Sequence, residues 1–370
     1  MIVGVPGEIK ADENRVGIVP AGVQALTAKG HTVVIQDGAG RGSGISNDMY
    51  EAAGARILPD AEAVYGESEM IMKVKEPLEA EYGLIKKGMM IFTYFHFAAD
   101  ETLTRAMMGT GAACVAYETV RLPNHSLPLL TPMSEVAGRM ATQEGAKYLE
   151  KFFGGRGVLL AGIPGVRPGN VVVIGGGTVG TSAARIAAGM GSDVTILDIN
   201  LDRLRYLDDV MAANVRTVAS TPWALREAIA QADLIIGAVL IEGAKAPKLI
   251  NRAMLGDMQE AAVIVDVAVD QGGCCETTHP TTHHDPVYEV DGILHYAVAN
   301  MPGAVPRTST YGLTNATLPY AMMLADEGLD SLRHHEPLLH GLNVHEGMVT
   351  HPGVAEAFDL EFTPPEKALG

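Results

Sequence analysis

One stretch limits the fold more than any other. It is Val171-Val172-Val173-Ile174, closed at once by Gly175-Gly176-Gly177-Thr178-Val179-Gly180 and followed by Ala183, Ala184, Ile186, Ala187 and Ala188. The β-branched run predicts a buried strand, and the small residues after it predict a helix lying close against that strand. The glycines between them fit G-x-G-x-x-G in the strand–turn–helix setting that gives the pattern its meaning. Gly175 is expected to make the tight turn. Gly177 is expected to let a pyrophosphate approach the backbone, where helix amides carry partial positive charge, and Gly180 to let helix close on strand. Thr178 and Val179 belong to the same turn. The stretch predicts a dinucleotide-binding domain; the alternative is a glycine-rich turn that holds no ligand.

The next predicted strand ends at Asp198, 23 positions after Gly175. An acid there accepts hydrogen bonds from the adenosine ribose hydroxyls and repels a 2′-phosphate, which favours NAD over NADP. Arg203 argues the other way, since a guanidinium suits a 2′-phosphate, and a merely solvated Asp198 is the remaining reading. Ligands of doubly wound sheets sit beyond the carboxyl ends of the strands. The expected cofactor contacts are therefore Ser220, Val239, Leu240, Val267, Ala268, Val269, Asp270, Val298, Ala299, Asn300 and Met301. Each alone reads as loop; as a set they should surround the cofactor.

The wider pattern is α/β. A chain of 370 residues suits about two domains. Strands are predicted at Ile2–Pro6, Thr32–Gln36, Met70–Lys75, Met89–Tyr94 and Ala113–Glu118, with helices such as Gly22–Lys29 and Asp100–Gly109 between them. A second block has Asn170–Ile174, Asp193–Leu197, Asn214–Val218, Leu234–Val239, Ala262–Val267 and Leu294–Val298, the strand count of a complete dinucleotide-binding sheet. Two doubly wound, Rossmann-like domains with an interdomain cleft are expected. Thr131-Pro132 starts a helix running to about 152 or 153, read as a connector, with an ordinary surface helix as the alternative. A further helix from Pro306 to about Glu327 would carry the chain back, and Thr363–Gly370 reads as a frayed tail.

Charge and cysteines restrict the partners. Lys and Arg total 27 against 44 Asp and Glu, a formal net charge of -17, which argues against nucleic acid and anionic membrane surfaces as electrostatic partners. Three cysteines, two of them adjacent (Cys274, Cys275), are no disulfide scaffold and suit a reducing compartment. The N-terminus lacks a signal-peptide pattern, and no apolar run reaches the ~18 residues of a membrane span. A soluble cytoplasmic protein is expected. His279, His283 and His284 near those cysteines invite a metal, as does His334-His335, but neither spacing fits a zinc pattern, so no metal is expected.

Three basic residues share one topological position in the first block. Arg15 follows the first strand, Lys75 closes the strand that starts at Met70, and His96 follows Met89–Phe95. If those strands are parallel, all three emerge at one sheet edge. Arg suits a carboxylate through its bidentate fork, Lys supplies a point charge, and His shuttles a proton near neutrality. The alternatives are a surface Arg15 beside Glu13, Lys73 in place of Lys75 on the same face, and a buried structural His96 among Phe92, Tyr94, Phe95 and Phe97. Asp266 and Asp270 flank the fifth strand of the second block; Asp270 is the better chemical candidate and Asp266 the better structural one.

With these residues in place, the chain resembles the bacterial L-alanine dehydrogenase family over essentially its full length. The resemblance lies in Gly7-Glu8-Ile9-Lys10 with Glu13-Asn14-Arg15-Val16, Lys73-Val74-Lys75-Glu76-Pro77, Thr93-Tyr94-Phe95-His96 and Pro132-Met133-Ser134-Glu135. It continues in Asp270-Gln271-Gly272-Gly273-Cys274, Asn300-Met301-Pro302-Gly303-Ala304-Val305-Pro306, Thr308-Ser309-Thr310 and Leu313-Thr314-Asn315-Ala316-Thr317. It implies a discontinuous substrate domain, 1–130 with 306–370, and an inserted NAD domain, 131–305, that includes the linking helix 131–153. It implies substrate binding at Arg15 and Lys75, acid–base work at His96 and Asp270, and NAD contacts at Ser134, Asp198, Arg203 and Ser220. The family commonly has Lys where this chain has Arg203, and often Arg where it has His279, so the resemblance assigns 279 no role. The implied reaction is hydride transfer from L-alanine to NAD. The iminium left is hydrated through a carbinolamine to pyruvate and ammonium, His96 passing protons and Asp270 orienting the ammonium. A homohexamer is implied as well. The rival readings are the soluble NAD-binding component of proton-translocating transhydrogenase and a non-catalytic NAD-sensing module.

Overall fold

A computed structural model describes residues 1–239 and 246–370. The chain forms two compact units, one of Met1–Met133 with Val305–Gly370, the other of Ser134–Ala304. In chain order the strands are β1 (Ile2–Val5), β2 (Thr32–Gln36), β3 (Arg56–Leu58), β4 (Met70–Met72), β5 (Met90–Thr93), β6 (Ala113–Ala116), β7 (Asn170–Ile174), β8 (Asp193–Asp198), β9 (Val215–Ala219), β10 (Leu234–Gly237), β11 (Val263–Asp266), β12 (Val287–Val290), β13 (Ile293–Tyr296), β14 (Leu342–His345) and β15 (Met348–Val349).

The first unit holds an eight-stranded sheet in the order β15-β14-β6-β5-β4-β1-β2-β3. β1 to β6 are mutually parallel, and β14 returns antiparallel beside β6. The second unit holds β12-β13-β11-β10-β7-β8-β9, parallel except for β12 on its edge. Each parallel set reverses direction of winding once, between β1 and β4 in the first unit and between β7 and β10 in the second. That switch point is where a doubly wound sheet opens a crevice at its carboxyl edge. The central strands are buried on both faces, which explains their unbroken apolar runs; Val3, Val5, Ile71, Ile91, Val173, Ile235 and Ile264 are all inaccessible or nearly so.

Several expectations need correction. The sequence pattern does not predict β3, β12, β14 or β15: β3 and β15 are very short, β12 has only half-buried or exposed positions, and β14 buries Asn343 and His345 among its apolar residues. The helix expected to reach 152 or 153 is Thr131–Tyr148 and stops there. Its end is closed by a glycine-rich return: Gly157 N donates to Leu149 O at 2.8 Å, and a Cβ on Gly155 would lie 2.1 Å from Tyr148 O. A separate 3-10 turn, Lys151–Phe153, follows. The C-terminus is not frayed. Pro365–Ala368 is a helical turn with Ala368 buried, and Arg333 donates to the Leu369 carbonyl. The second crossing helix is Pro306–Glu327, as its sequence pattern predicts. Among the described residues no helix is long and apolar enough to cross a membrane.

Candidate functional site

In the second unit, the turn after β7 gives each glycine of the motif a separate steric reason. Gly175 has φ +102°, and a Cβ there would meet the Ala238 carbonyl at 2.8 Å. A Cβ on Gly180 would fall 1.8 Å from Gly175 O, so only glycine lets the helix Thr178–Gly189 sit this close to the turn. A Cβ on Gly177 would meet nothing within 4 Å. Gly177 is exposed at the N-cap of that helix, so the protein itself does not demand glycine there. Open space over free helix amides is what a pyrophosphate needs. Glycines also seat the helix Thr131–Tyr148: a Cβ on Gly138 would lie 2.2 Å from Val179 O.

Asp198 closes β8. Its Oδ2 accepts from Gly176 N at 2.6 Å and its Oδ1 from Asn200 N at 2.8 Å, so the acid orients the turn. Arg203 is engaged with the protein. Its Nε donates to Gly176 O at 2.6 Å, Nη2 donates to Thr181 Oγ1 at 2.9 Å, and the guanidinium lies over Tyr206 at 4.9 Å. Ser220 donates its amide to Asp198 O. Ser134 is half-buried on the helix Thr131–Tyr148, and Val239 follows β10. Val267, Ala268, Val269 and Asp270 form a 3-10 turn after β11, with Asp270 exposed. Val298, Ala299, Asn300 and Met301 follow β13, and Asn300 takes a left-handed φ of 59°. Leu240 lies outside the described residues.

Asp266 is the anchor of the loop beyond β11. Its Oδ2 accepts from the amides of Cys274 (2.9 Å) and Cys275 (3.2 Å) and from Thr278 Oγ1 (2.6 Å), while Oδ1 accepts from Ala268 N (3.2 Å). A buried carboxylate with this many donors holds a loop in place, and Asp270 is left to the surface. The nearby histidines are engaged in packing. His279 stacks on Tyr288 at 3.8 Å, and His283 Nε2 lies 3.2 Å from Asn300 O. All three cysteines are free and buried.

In the first unit, Lys75 and His96 lie three residues beyond β4 and β5, and Arg15 ten residues beyond β1. Arg15 is 3% exposed, so the reading of a surface charge fails. Its Nε and Nη2 grip the two oxygens of Glu13 at 2.7 and 2.5 Å, and Nη1 lies 3.1 Å from Met133 Sδ. Burial alone would raise the Glu13 carboxyl, but the hydrogen bonds and charge of Arg15 outweigh it and hold the group below the ordinary glutamate value. Burial lowers the pKa of the Lys75 amine, and the charges of Arg15 and Lys10 lower it further. That amine makes no hydrogen bond or ion pair to the described residues.

Lys73 is not available in place of Lys75. β4 ends at Met72, and Lys73 is fully buried between Glu8 (3.3 Å) and Glu81 (2.8 Å). Nor is His96 a core residue. It is exposed among buried aromatics, its ring stacked on Tyr94 with 5.8 Å between centroids and 8° between planes. Its backbone is left-handed (φ 52°), and its amide donates to Glu118 Oε1 at 2.6 Å. Strain of this kind in a non-glycine residue persists where surrounding contacts impose it, often at functional sites. Tyr94 is itself fixed by a 2.6 Å hydrogen bond to Leu129 O. The sequence reading assigns no role to Tyr94, Glu118, Glu8 or Glu81. The contacts of Glu118 and Glu8 are distant in sequence, whereas Tyr94 lies two residues from His96, Glu81 eight from Lys73 and Glu13 two from Arg15, so these three had a local signal. Asp270 belongs to the other unit.

Models of the alanine dehydrogenase/PNT N-terminal and C-terminal domains match residues 4–137 and 141–352. The chain belongs to the alanine dehydrogenase/PNT family. Within this family, the alanine dehydrogenase of Methanococcus maripaludis is 56% identical over 371 positions that cover all of both chains. That of Bacillus subtilis is 54% identical, covering 100% of this chain and 98% of the relative. A solved L-alanine dehydrogenase superposes with a TM-score of 0.95 at 51% identity, covering 97% of this chain and 99% of that one. A transhydrogenase structure from Sinorhizobium meliloti, 24% identical over 94% of this chain and 100% of its own, has a TM-score of 0.83 and shares the fold.

Proposed function

We propose that the chain is an enzyme that catalyses the NAD-dependent oxidative deamination of L-alanine to pyruvate and ammonium, and the reverse reductive amination. The observation that carries this reading is the 56% identity to an alanine dehydrogenase across the whole of both chains. The turn after β7 fits the cofactor on its own terms, through the open space at Gly177, the close approach at Gly180 and the acid at Asp198. The expected contacts are Ser134, Gly175, Gly177, Thr178, Val179, Gly180, Asp198, Arg203, Ser220, Val239, Leu240, Val267, Ala268, Val269, Asp270, Val298, Ala299, Asn300 and Met301. Bound there, NAD supplies the hydride acceptor.

The chain's own residues do the rest. Arg15, oriented by Glu13, and Lys75 hold the substrate carboxylate, so that the Cα–H has one orientation. His96, solvent-accessible on its Tyr94 platform, moves protons to and from the water oxygen and the departing nitrogen. Asp270 orients the ammonium and stabilises positive charge on the nitrogen. The segments 1–130 with 306–370 form the substrate domain, and 131–305 the NAD domain. Three free, buried thiols suit a reducing cytoplasm, and the assembly is a homohexamer by family resemblance, to be read by light scattering. The test is NADH formation from L-alanine and NAD with no second protein present, run against a panel of small L-amino acids and with NADP. No NADH from L-alanine would refute the reading.

A further inference from the structure

β4 stops at Met72, and the segment that carries Lys75 runs on outside the strand. Its backbone is held largely by side chains from elsewhere in the first unit. Glu8 Oε1 accepts from the Val74 amide at 2.6 Å and, at a long 3.5 Å, from the Lys75 amide. Thr93 Oγ1 donates to the Lys75 carbonyl at 2.9 Å. Glu81 Oε2 accepts from the Leu78 amide at 2.9 Å, and Tyr94 N reaches Val74 O at 3.4 Å. The two carboxylates are tied together: Lys73 Nζ lies 3.3 Å from Glu8 Oε2 and 2.8 Å from Glu81 Oε1, and Tyr65 donates to Glu81 at 3.0 Å. None of these three charged side chains is more than 3% exposed.

Such a cluster is an expensive way to fill a core. Removing several charges from water costs more than apolar packing would, and the return is a defined geometry. Burial, only partly offset by Lys73, pushes the Glu8 carboxyl up. Burial works against the Lys73 ammonium too, but the two carboxylates outweigh it and favour the charged form. The charges that bear most on the Lys75 amine are those of Arg15, Lys10, Glu76 and Glu13. The contacts of Glu8 with this segment are to the backbone amides of Val74 and Lys75, so its hold on Lys75 runs through the backbone.

We propose that Glu8, oriented by Lys73, is a positioning residue: it pins the amides of Val74 and Lys75 and so fixes where the Lys75 amine emerges toward substrate. The inference rests on the assignment of Lys75 to the substrate carboxylate. Two variants of the full chain test it. Glu8→Gln keeps the shape and removes the charge; Thr93→Val removes the clasp on the Lys75 carbonyl without touching the ion cluster. In Glu8→Gln, amide hydrogen exchange over residues 73–78 should quicken about tenfold, the worth of one hydrogen bond to a charged acceptor. The KM for L-alanine and pyruvate should rise by about the same factor while kcat changes less than about threefold. NADH affinity should stay unchanged, because its contacts lie in the other unit. Thr93→Val should raise the same KM by about threefold, the loss of a neutral hydrogen bond. A folded Glu8→Gln protein with unchanged exchange, or with faster exchange and unchanged KM, overturns the proposal. If Glu8→Gln does not fold, an unchanged KM in Thr93→Val does so. Should the wild type fail to oxidise L-alanine, the functional reading falls, and the exchange measurement still decides whether Glu8 holds the segment.

Discussion

Two single-methyl substitutions in the turn after β7 should separate folding from cofactor binding. In Gly180→Ala the new Cβ lies 1.8 Å from Gly175 O, roughly 1.6 Å short of an ordinary contact of about 3.4 Å. The opposing atom is backbone, held by Gly175 N to Leu197 O at 2.7 Å, so the strain belongs at the upper end of overpacking, ~3 kcal/mol. Alanine returns ~1 kcal/mol of helix propensity, leaving ~2 kcal/mol of destabilisation. For a unit of this size that is a fall in melting temperature of about 4–8 °C. Gly177→Ala meets no atom, and its φ of -69° is open to alanine, so it should lose no more than ~1 kcal/mol, for the poorer N-cap. Yet its methyl occupies the space a pyrophosphate would enter. NADH should bind at least about tenfold more weakly, ~1.4 kcal/mol, in a protein that melts almost as the wild type does. Thermal melts and NADH fluorescence titrations of both variants read this directly. Wild-type NADH affinity in Gly177→Ala would refute the placement of the pyrophosphate, and a wild-type melt for Gly180→Ala would refute the steric argument.

The remaining predictions concern the substrate side. His96→Ala and Asp270→Ala should each lower kcat by ~10²–10⁴-fold while NADH still binds, and near-normal turnover in both would discard their acid–base roles. Arg15→Ala should raise the KM for L-alanine and pyruvate by about 10–100-fold, the worth of a charge-assisted hydrogen bond. It also strands the buried Glu13. Because the folded Glu13 value lies below 4.5, wild type carries stability above pH 4.5 that is lost as pH falls through the lowered value, and acid melts of the variant should lack that contribution. Lys75 gives up its proton below the ordinary 10.5, so pyruvate binding should weaken as pH rises toward that value from below. Lys75→Arg, charged throughout, should abolish that limb; if it persists unchanged, Lys75 is not the group that titrates.

Much of the plan is local and therefore legible in the residue order. Val171–Ile174 could only be a strand buried on both faces, and glycine spacing at 175, 177 and 180 announces a turn that is tight, open and closely packed in succession. Pro306 begins the helix its pattern predicts. What the order of residues does not carry is which polar groups meet across the fold. Lys73 and Lys75 are two residues apart and chemically alike, yet one is consumed by Glu8 and Glu81 while the amine of the other makes no bond to the described protein. The sequence alone determined the α/β class, the glycine turn between strand and helix and a short set of candidate groups, because strand, helix and turn preferences act over a few neighbours. Only the tertiary structure decided that Arg15 is clamped by Glu13, that Asp266 anchors a loop while Asp270 faces out, and that His96 stands exposed on Tyr94. Burial and pairing are settled by how the folded chain directs each side chain, and even where the partners are close in sequence, as Glu13 and Arg15 or Tyr94 and His96 are, the order of residues does not say that they meet.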